Sequence, residues 1–197
     1  MANFTCVQFA TIVEDKIYFE VENPDYEADS YKKGSSFTKM IQNGHSQFLV
    51  LDKAYNQIQL SFQELTLEQS KDSNCKFKIQ SLLSDETDSI LGFPVALQVE
   101  FEDKTWTLCC SDDGGVKAVN AKPEDLPNPI LSNKHKAVFF LRQIEGQAFK
   151  YRVESSLWEN MFLSFEHDPT SLARLVLKAK SNEDETQNLQ IQNSCDT

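Results

Sequence analysis

Gln47-Phe48-Leu49-Val50-Leu51-Asp52 and, five residues on, Gln57-Ile58-Gln59-Leu60-Ser61-Phe62 decide the fold class. The first has a continuous apolar centre; the second puts Ile58, Leu60 and Phe62 on one side and polar residues on the other, the period of two that belongs to a strand. Ten more runs of these two kinds follow the same grammar, near 36–42, 76–84, 93–101, 104–110, 116–120, 137–143, 147–153, 161–165, 172–179 and 187–192. Asn43-Gly44, Glu102-Asp103 and Asp113-Gly114-Gly115 lie between runs and are hairpin signals, because Gly and Asn tolerate the positive φ of a tight reversal. Long helices are absent from the pattern, with room for a short one near 66–72 or 122–126.

The twelve runs group in three sets of four, near 36–84, 93–143 and 147–192, a period of roughly 50 residues. That grouping predicts an all-β chain folded as a β-trefoil of twelve strands in three pseudo-repeats. A β-sandwich is the structural competitor, since strand spacing does not say which edges pair. Phe48–Leu51, Val138-Phe139-Phe140-Leu141 and Leu175-Val176-Leu177 supply the centre of either core.

Upstream, residues 1–29 hold seven acids against Lys16, and so carry −6 of the chain's net −11. The alternation Ile17, Phe19, Val21 predicts a strand in this acidic leader. From Asn23 to Ser36 a proline, acids, lysines, a glycine and serines oppose regular structure and predict an exposed linker. Within it lies Tyr26-Glu27-Ala28-Asp29-Ser30, which resembles the preference of the inflammatory caspases. A protease cutting after aspartate needs a buried cationic pocket for that carboxylate. Asp29 fills that slot, Tyr26 offers an aromatic anchor, and Ser30 is a small residue beside the cut. The predicted division is a propeptide, 1–29, and a single β domain, 30–197. The tail from Ser181 is polar and acidic.

The charge balance argues against counterion-driven binding to nucleic acid and against docking on an anionic membrane. No stretch has the features of a secretory signal, and no run of about 18 apolar residues crosses a bilayer. Synthesis is therefore expected in the cytosol. Cysteines 6, 75, 109, 110 and 195 show neither a zinc spacing nor a disulfide framework and read as reduced thiols. Strand alternation puts Cys110 on the face of Trp106 and Leu108, and Cys109 on the other, more reactive one.

His45, His135 and His167 all sit in or beside polar turns, as exposed bystanders rather than ligands. No zinc-protease motif, phosphate-cradling glycine loop, nucleophile elbow or dinucleotide fingerprint occurs. Glu183-Asp184-Glu185 and Asp112-Asp113 lack the spaced donors of a calcium loop. No cofactor, metal or catalytic residue is expected, and the chain is not expected to be an enzyme. A thiol hydrolase built on Cys109 or Cys110 would need a depressed thiol pKa, which nothing in the sequence motivates.

Glu154-Ser155-Ser156, a short loop, then Phe162-Leu163 resembles the signature of the interleukin-1 cytokine family. Val153, Glu159 and Phe165 depart from the common pattern. The precursors of one branch match more closely, through Cys6-Val7-Gln8-Phe9, Ile17-Tyr18-Phe19, Gln47–Asp52, Phe62-Gln63-Glu64-Leu65-Thr66, Pro94-Val95-Ala96, Val138-Phe139-Phe140 and Leu172-Ala173-Arg174-Leu175-Val176-Leu177-Lys178, in that order.

The resemblance implies a β-trefoil cytokine made as an inactive cytosolic precursor, cut by an inflammatory caspase and released without a signal peptide. The mature form would act as a monomer that bridges a primary and an accessory receptor with immunoglobulin-like ectodomains to trigger inflammatory signalling, and that a soluble binding protein can intercept. Carried onto this sequence, the first receptor contact falls on Gln42, Ser46 and Leu65, the second near Phe93, and the accessory region on 117–136, including Lys117 and Lys136. Gln42 and Ser46 are neutral where the family shows charge, and Lys136 is basic where it shows an acid. A non-signalling trefoil binding module and a receptor antagonist are the alternative functions.

Overall fold

The computed structural model describes residues 7–13, 16–21, 31–54, 56–84, 92–111, 119–122, 126, 130, 134–167 and 173–193. Fourteen strands occur among them: β1 (Val7–Val13), β2 (Lys16–Val21), β3 (Tyr31–Gln42), β4 (Phe48–Ala54), β5 (Gln57–Gln63), β6 (Phe77–Ser84), β7 (Phe93–Phe101), β8 (Lys104–Cys110), β9 (Val119–Lys122), β10 (Phe139–Gln143), β11 (Lys150–Ser155), β12 (Met161–His167), β13 (Ala173–Ala179) and β14 (Leu189–Gln192). The last twelve form one continuous antiparallel sheet. The first two pair with each other as a separate hairpin.

The pairing settles the choice between sandwich and trefoil. β3 pairs β6, β6 pairs β7, β7 pairs β10, β10 pairs β11, β11 pairs β14, and β14 returns to β3. Six strands thus close a barrel, which removes its free edges. The other six form three hairpins, β4–β5, β8–β9 and β12–β13. Two hairpins meet where Ala173 and Arg174 of β13 pair Phe62 and Ser61 of β5. Each set of four strands therefore gives its first and fourth to the barrel and its middle two to a hairpin, the β-trefoil plan.

One core runs through the barrel and the hairpins. Leu51, Leu60, Phe62, Phe77, Ile79, Leu97, Leu108, Phe139, Leu163, Leu175 and Ile191 are all buried in it, so all three sets contribute. Phe62 meets Phe165 edge-on at 5.8 Å between ring centres, an arrangement aromatic quadrupoles favour. The turn between β7 and β8 is Glu102-Asp103, both with positive φ (49° and 56°), the type I′ geometry that matches strand twist. In the Asn43–Gln47 reversal the left-handed residue is Ser46 (φ 62°), rather than the Gly44 that the sequence marks. Asn43 organises that turn, its Oδ1 accepting from the amides of His45 (2.9 Å) and Gln47 (3.0 Å). The Asp113-Gly114-Gly115 signal lies outside the described residues.

Three expectations need correction. Residues 31–36 belong to β3 and not to the linker, because their irregular composition is absorbed by a bulge between Lys33 and Ser36. The buried Gln80 amide fills it, donating to the carbonyls of Gly34 (2.7 Å) and Ser35 (3.1 Å). Second, the short helix expected near 66–72 is present, but as the 3-10 turn Gln69–Lys71, with another just beyond it at Ser73–Cys75, while residues 123–125 of the other stretch named for a helix lie outside the described residues. Third, Cys109 is no more open than Cys110, at 0% and 2% exposure. Alternation sorts them correctly, Cys110 into the main core, but Cys109 falls into a second cluster roofed by Leu126, Ile130, Ala137 and Val138.

Candidate functional site

Glu154-Ser155-Ser156 closes β11, and all three polar side chains are buried, at 3%, 1% and 6% exposure. A polar group removed from water is costly unless its hydrogen bonds are replaced. Each of the three finds its partners on a different segment. Glu154 takes the Arg142 guanidinium of β10 on Oε2 and the Asn160 amide on Oε1 at 2.8 Å. Ser155 Oγ accepts from the Trp158 amide at 3.2 Å and lies 3.2 Å from Cys110 Sγ at the end of β8. Ser156 Oγ accepts from the His135 amide (3.1 Å) and donates to the His135 carbonyl (2.9 Å), while its own amide donates to the Val138 carbonyl (3.0 Å).

The consequence is a clip joining three stretches distant in sequence. Trp158 Nε1 extends it by donating to the Ser111 carbonyl at 3.1 Å. The Cys110 amide donates to the Lys136 carbonyl at 2.8 Å, tying β8 directly to the 134–138 turn. That turn closes on itself, Val138 N to His135 O at 3.0 Å, and His135 Nδ1 accepts from the Ala137 amide at 3.2 Å. His135 is thus a half-buried structural group and not an exposed bystander.

The sequence-derived contact residues separate into groups. Gln42 pairs Phe48, and Phe48 pairs Gln63, which brings Gln42, the exposed Ser46 turn and the segment after β5 to one corner. There the half-buried Leu65 packs with Phe48 on Met40, Val50 and Cys75. Leu67, two residues on, is 79% exposed. Phe93 stands at the other end of the barrel. It pairs Leu141 at the start of β7, beside the end of β6 that pairs the beginning of β3. Lys136 is half-buried and belongs to the clipped turn. Lys117 and the stretch Tyr26, Glu27, Ala28, Asp29 and Ser30 lie outside the described residues.

Leu67 and Trp158 carry no site signal in the sequence. An exposed leucine beside a strand end carries no periodic signal, and the role of Trp158 depends on Ser111, which is 47 positions away. Burial pushes the Cys75 thiol pKa up, and its Sγ donates to the Asp72 carbonyl at 3.2 Å. Cys75 is therefore a packed, unreactive group. A cleft of about 270 Å³ on the outer face of β3, β6 and β7 is lined by Thr38, Lys78, Gln98 and Glu100 around Val99.

No family model matches the chain. It is 31% identical over 173 residues to the Interleukin-18 of Gallus gallus, covering 86% of this chain and 82% of that protein. It is 28% identical over 184 residues to the Interleukin-18 of Mus musculus, covering 91% and 89%. Among solved structures, the chicken interleukin 1 beta overlays with a TM-score of 0.61 at 16% identity, covering 83% of this chain and 99% of that one. A mutant form of Gallus interleukin-1 beta gives 0.63 at 15% identity, with the same coverage. A shared barrel-and-hairpin fold and a sequence match across most of both chains lead to one conclusion: this chain belongs to the interleukin-18 cytokines, non-enzymatic signalling proteins of the interleukin-1 fold.

Proposed function

We propose that the chain is a pro-inflammatory cytokine precursor, that an inflammatory caspase cuts it between Asp29 and Ser30, and that residues 30–197 then bridge a primary and an accessory receptor of the interleukin-18 type. The observation that carries this reading is the closure of the barrel. Its ring and hairpins use residues from Tyr31 onward, with Tyr31 fastened to Ile130 by two 2.8 Å backbone hydrogen bonds. The leader instead pairs within itself as β1–β2. Removing residues 1–29 therefore takes no strand from the trefoil.

In the leader, β1 runs alongside β3 and β6, where it can cover barrel surface without being part of the barrel. The proposed primary contact is the corner of Gln42, Ser46 and Leu65, with Phe93 serving a second receptor surface. Lys117 and Lys136 belong to the accessory face. The precursor is cytosolic, and the mature monomer acts outside the cell, where a soluble binding protein can compete for it.

The test compares full chain with the caspase-treated product for receptor-complex formation and reporter signalling, with intact mass locating the cut. Asp29→Ala is expected to block it, since an empty cationic pocket loses about 2–5 kcal/mol by analogy with buried charge pairs. Cleavage at the same bond in that variant, or equal signalling by precursor and product, refutes the reading.

A further inference from the structure

We infer that Ser156 and Trp158 are positioning residues for the accessory-receptor face: they touch no receptor, but hold in place the backbone of the 134–138 turn, which presents Lys136. The inference rests on the proposed bridging function and deepens it. Lys136 is the second residue of a turn closed by Val138 N on His135 O. Its carbonyl is taken by the Cys110 amide. The first residue of the turn, His135, is gripped through both its amide and its carbonyl by the single hydroxyl of Ser156. The Lys136 backbone is therefore pinned from two sides, and its half-buried side chain is what the turn presents.

The same loop secures the end of β8, from which the Cys110 amide reaches the Lys136 carbonyl: the carbonyl of the neighbouring Ser111 accepts from the Trp158 indole. Ser155 lies between the two anchors, in contact with both the Trp158 amide and Cys110. The segment Glu154 to Trp158 thus fixes the 134–138 turn directly, through Ser156, and indirectly, through the end of β8. The primary-contact corner at Gln42, Ser46 and Leu65 makes no hydrogen bond to this loop among the described residues. Loss of the clip is expected to separate two functions that a general loss of stability would affect together.

The experiment uses the full chain carried through caspase treatment, with Ser156→Ala, Ser156→Thr, Trp158→Phe and Lys136→Glu. Binding to the primary receptor ectodomain is measured first, then capture of the accessory ectodomain by that binary complex, and amide exchange across 134–138. Ser156→Ala is expected to leave primary binding within about twofold, speed exchange at 134–138, and weaken accessory capture about tenfold, the effect of losing one or two buried hydrogen bonds. Ser156→Thr keeps the hydroxyl and is expected to restore capture. Trp158→Phe keeps an aromatic ring, loses the indole donor, and supplies the same comparison if Ser156→Ala does not fold. Faster exchange with unchanged accessory capture overturns the inference, as does a parallel fall in both binding steps. If Lys136→Glu abolishes capture while the clip variants do not, the inference alone fails. If Lys136→Glu is also silent, the assignment of the accessory face fails with it.

Discussion

Glu154→Gln tests the clip at its one charged member. The Glu154 side chain is 4% exposed and that of its partner Arg142 30%. Arg142 Nε is buried with no hydrogen-bond partner among the described residues, so Glu154 is the guanidinium's ionic partner there, with the Phe162 ring face 5.8 Å from Cζ as a weaker support. Glutamine keeps an oxygen for the Asn160 amide and nearly the same volume, and isolates the loss of charge. Removing one member of a buried ion pair costs about 3–5 kcal/mol, because the other is left desolvated. Water reaches part of Arg142, which places the expected loss at the lower end, about 3 kcal/mol. With a urea slope of roughly 2 kcal/mol/M, the midpoint should fall by about 1.5 M with the slope unchanged. Adding Arg142→Met should recover much of the loss, since it removes the orphaned cation. A midpoint shift below about 0.5 M, or a double variant destabilised by the sum of the single changes, refutes the view that this pair is an isolated, mutually dependent unit.

Gly92 precedes β7 with φ +95°, and a Cβ there would stand 2.8 Å from both Arg142 Cγ and the Leu141 carbonyl oxygen, whereas nothing lies within 4 Å of one at Gly44. Gly92→Ala should cost about 2 kcal/mol or more in thermal or urea unfolding and Gly44→Ala no more than about 0.5 kcal/mol. Equal effects would mean that the close approach at Gly92 is relieved by small shifts. Burial pushes the phenol of Tyr151 up to about 12. Because the folded value lies above the unfolded one, the stabilisation is complete below about pH 10 and is lost between about pH 10 and 12, on the order of 2–3 kcal/mol, and urea midpoints for Tyr151→Phe should be flatter across that window.

The strands were legible because each hydrophobic face is written locally. Every run from residue 36 onward has a strand overlapping or beginning within it, and Glu102-Asp103 makes the turn that its position between two runs predicts. Closure was not legible. Whether β7 pairs β10 or lies in a second layer depends on Val95 meeting Phe139 across a separation that no local pattern encodes. Tyr31–Ser36 reads as linker because Gly34 and Ser35 break the alternation, and only Gln80, on a partner strand, turns that break into a bulge. The error over Cys109 has the same origin. Alternation tells which side of β8 a side chain takes, but a face turned away from the barrel is exposed only if no other segment covers it, and here Leu126, Ile130, Ala137 and Val138 do.

The signature divides along the same line. Glu154-Ser155-Ser156 was visible as a pattern, yet three consecutive polar residues at the end of an apolar strand read locally as a turn facing water. Their burial becomes intelligible only with Arg142, Cys110, His135 and Asn160 in place. Such a cluster loses several partners at once when one member is displaced, because a half-made polar network leaves desolvated groups behind; Arg142 Nε is its one orphan among the described residues. The clip therefore has few intermediate positions: either β8, the 134–138 turn and the loop before β12 are all docked, or several buried groups lose partners together. A surface mounted on that arrangement is held rigidly without large apolar side chains of its own. That lets the charge of a partly exposed side chain such as Lys136 change while the backbone presenting it stays put. One substitution on the turn then changes the surface it offers, whereas moving the turn would require Glu154, Ser155 and Ser156 to change together with their partners.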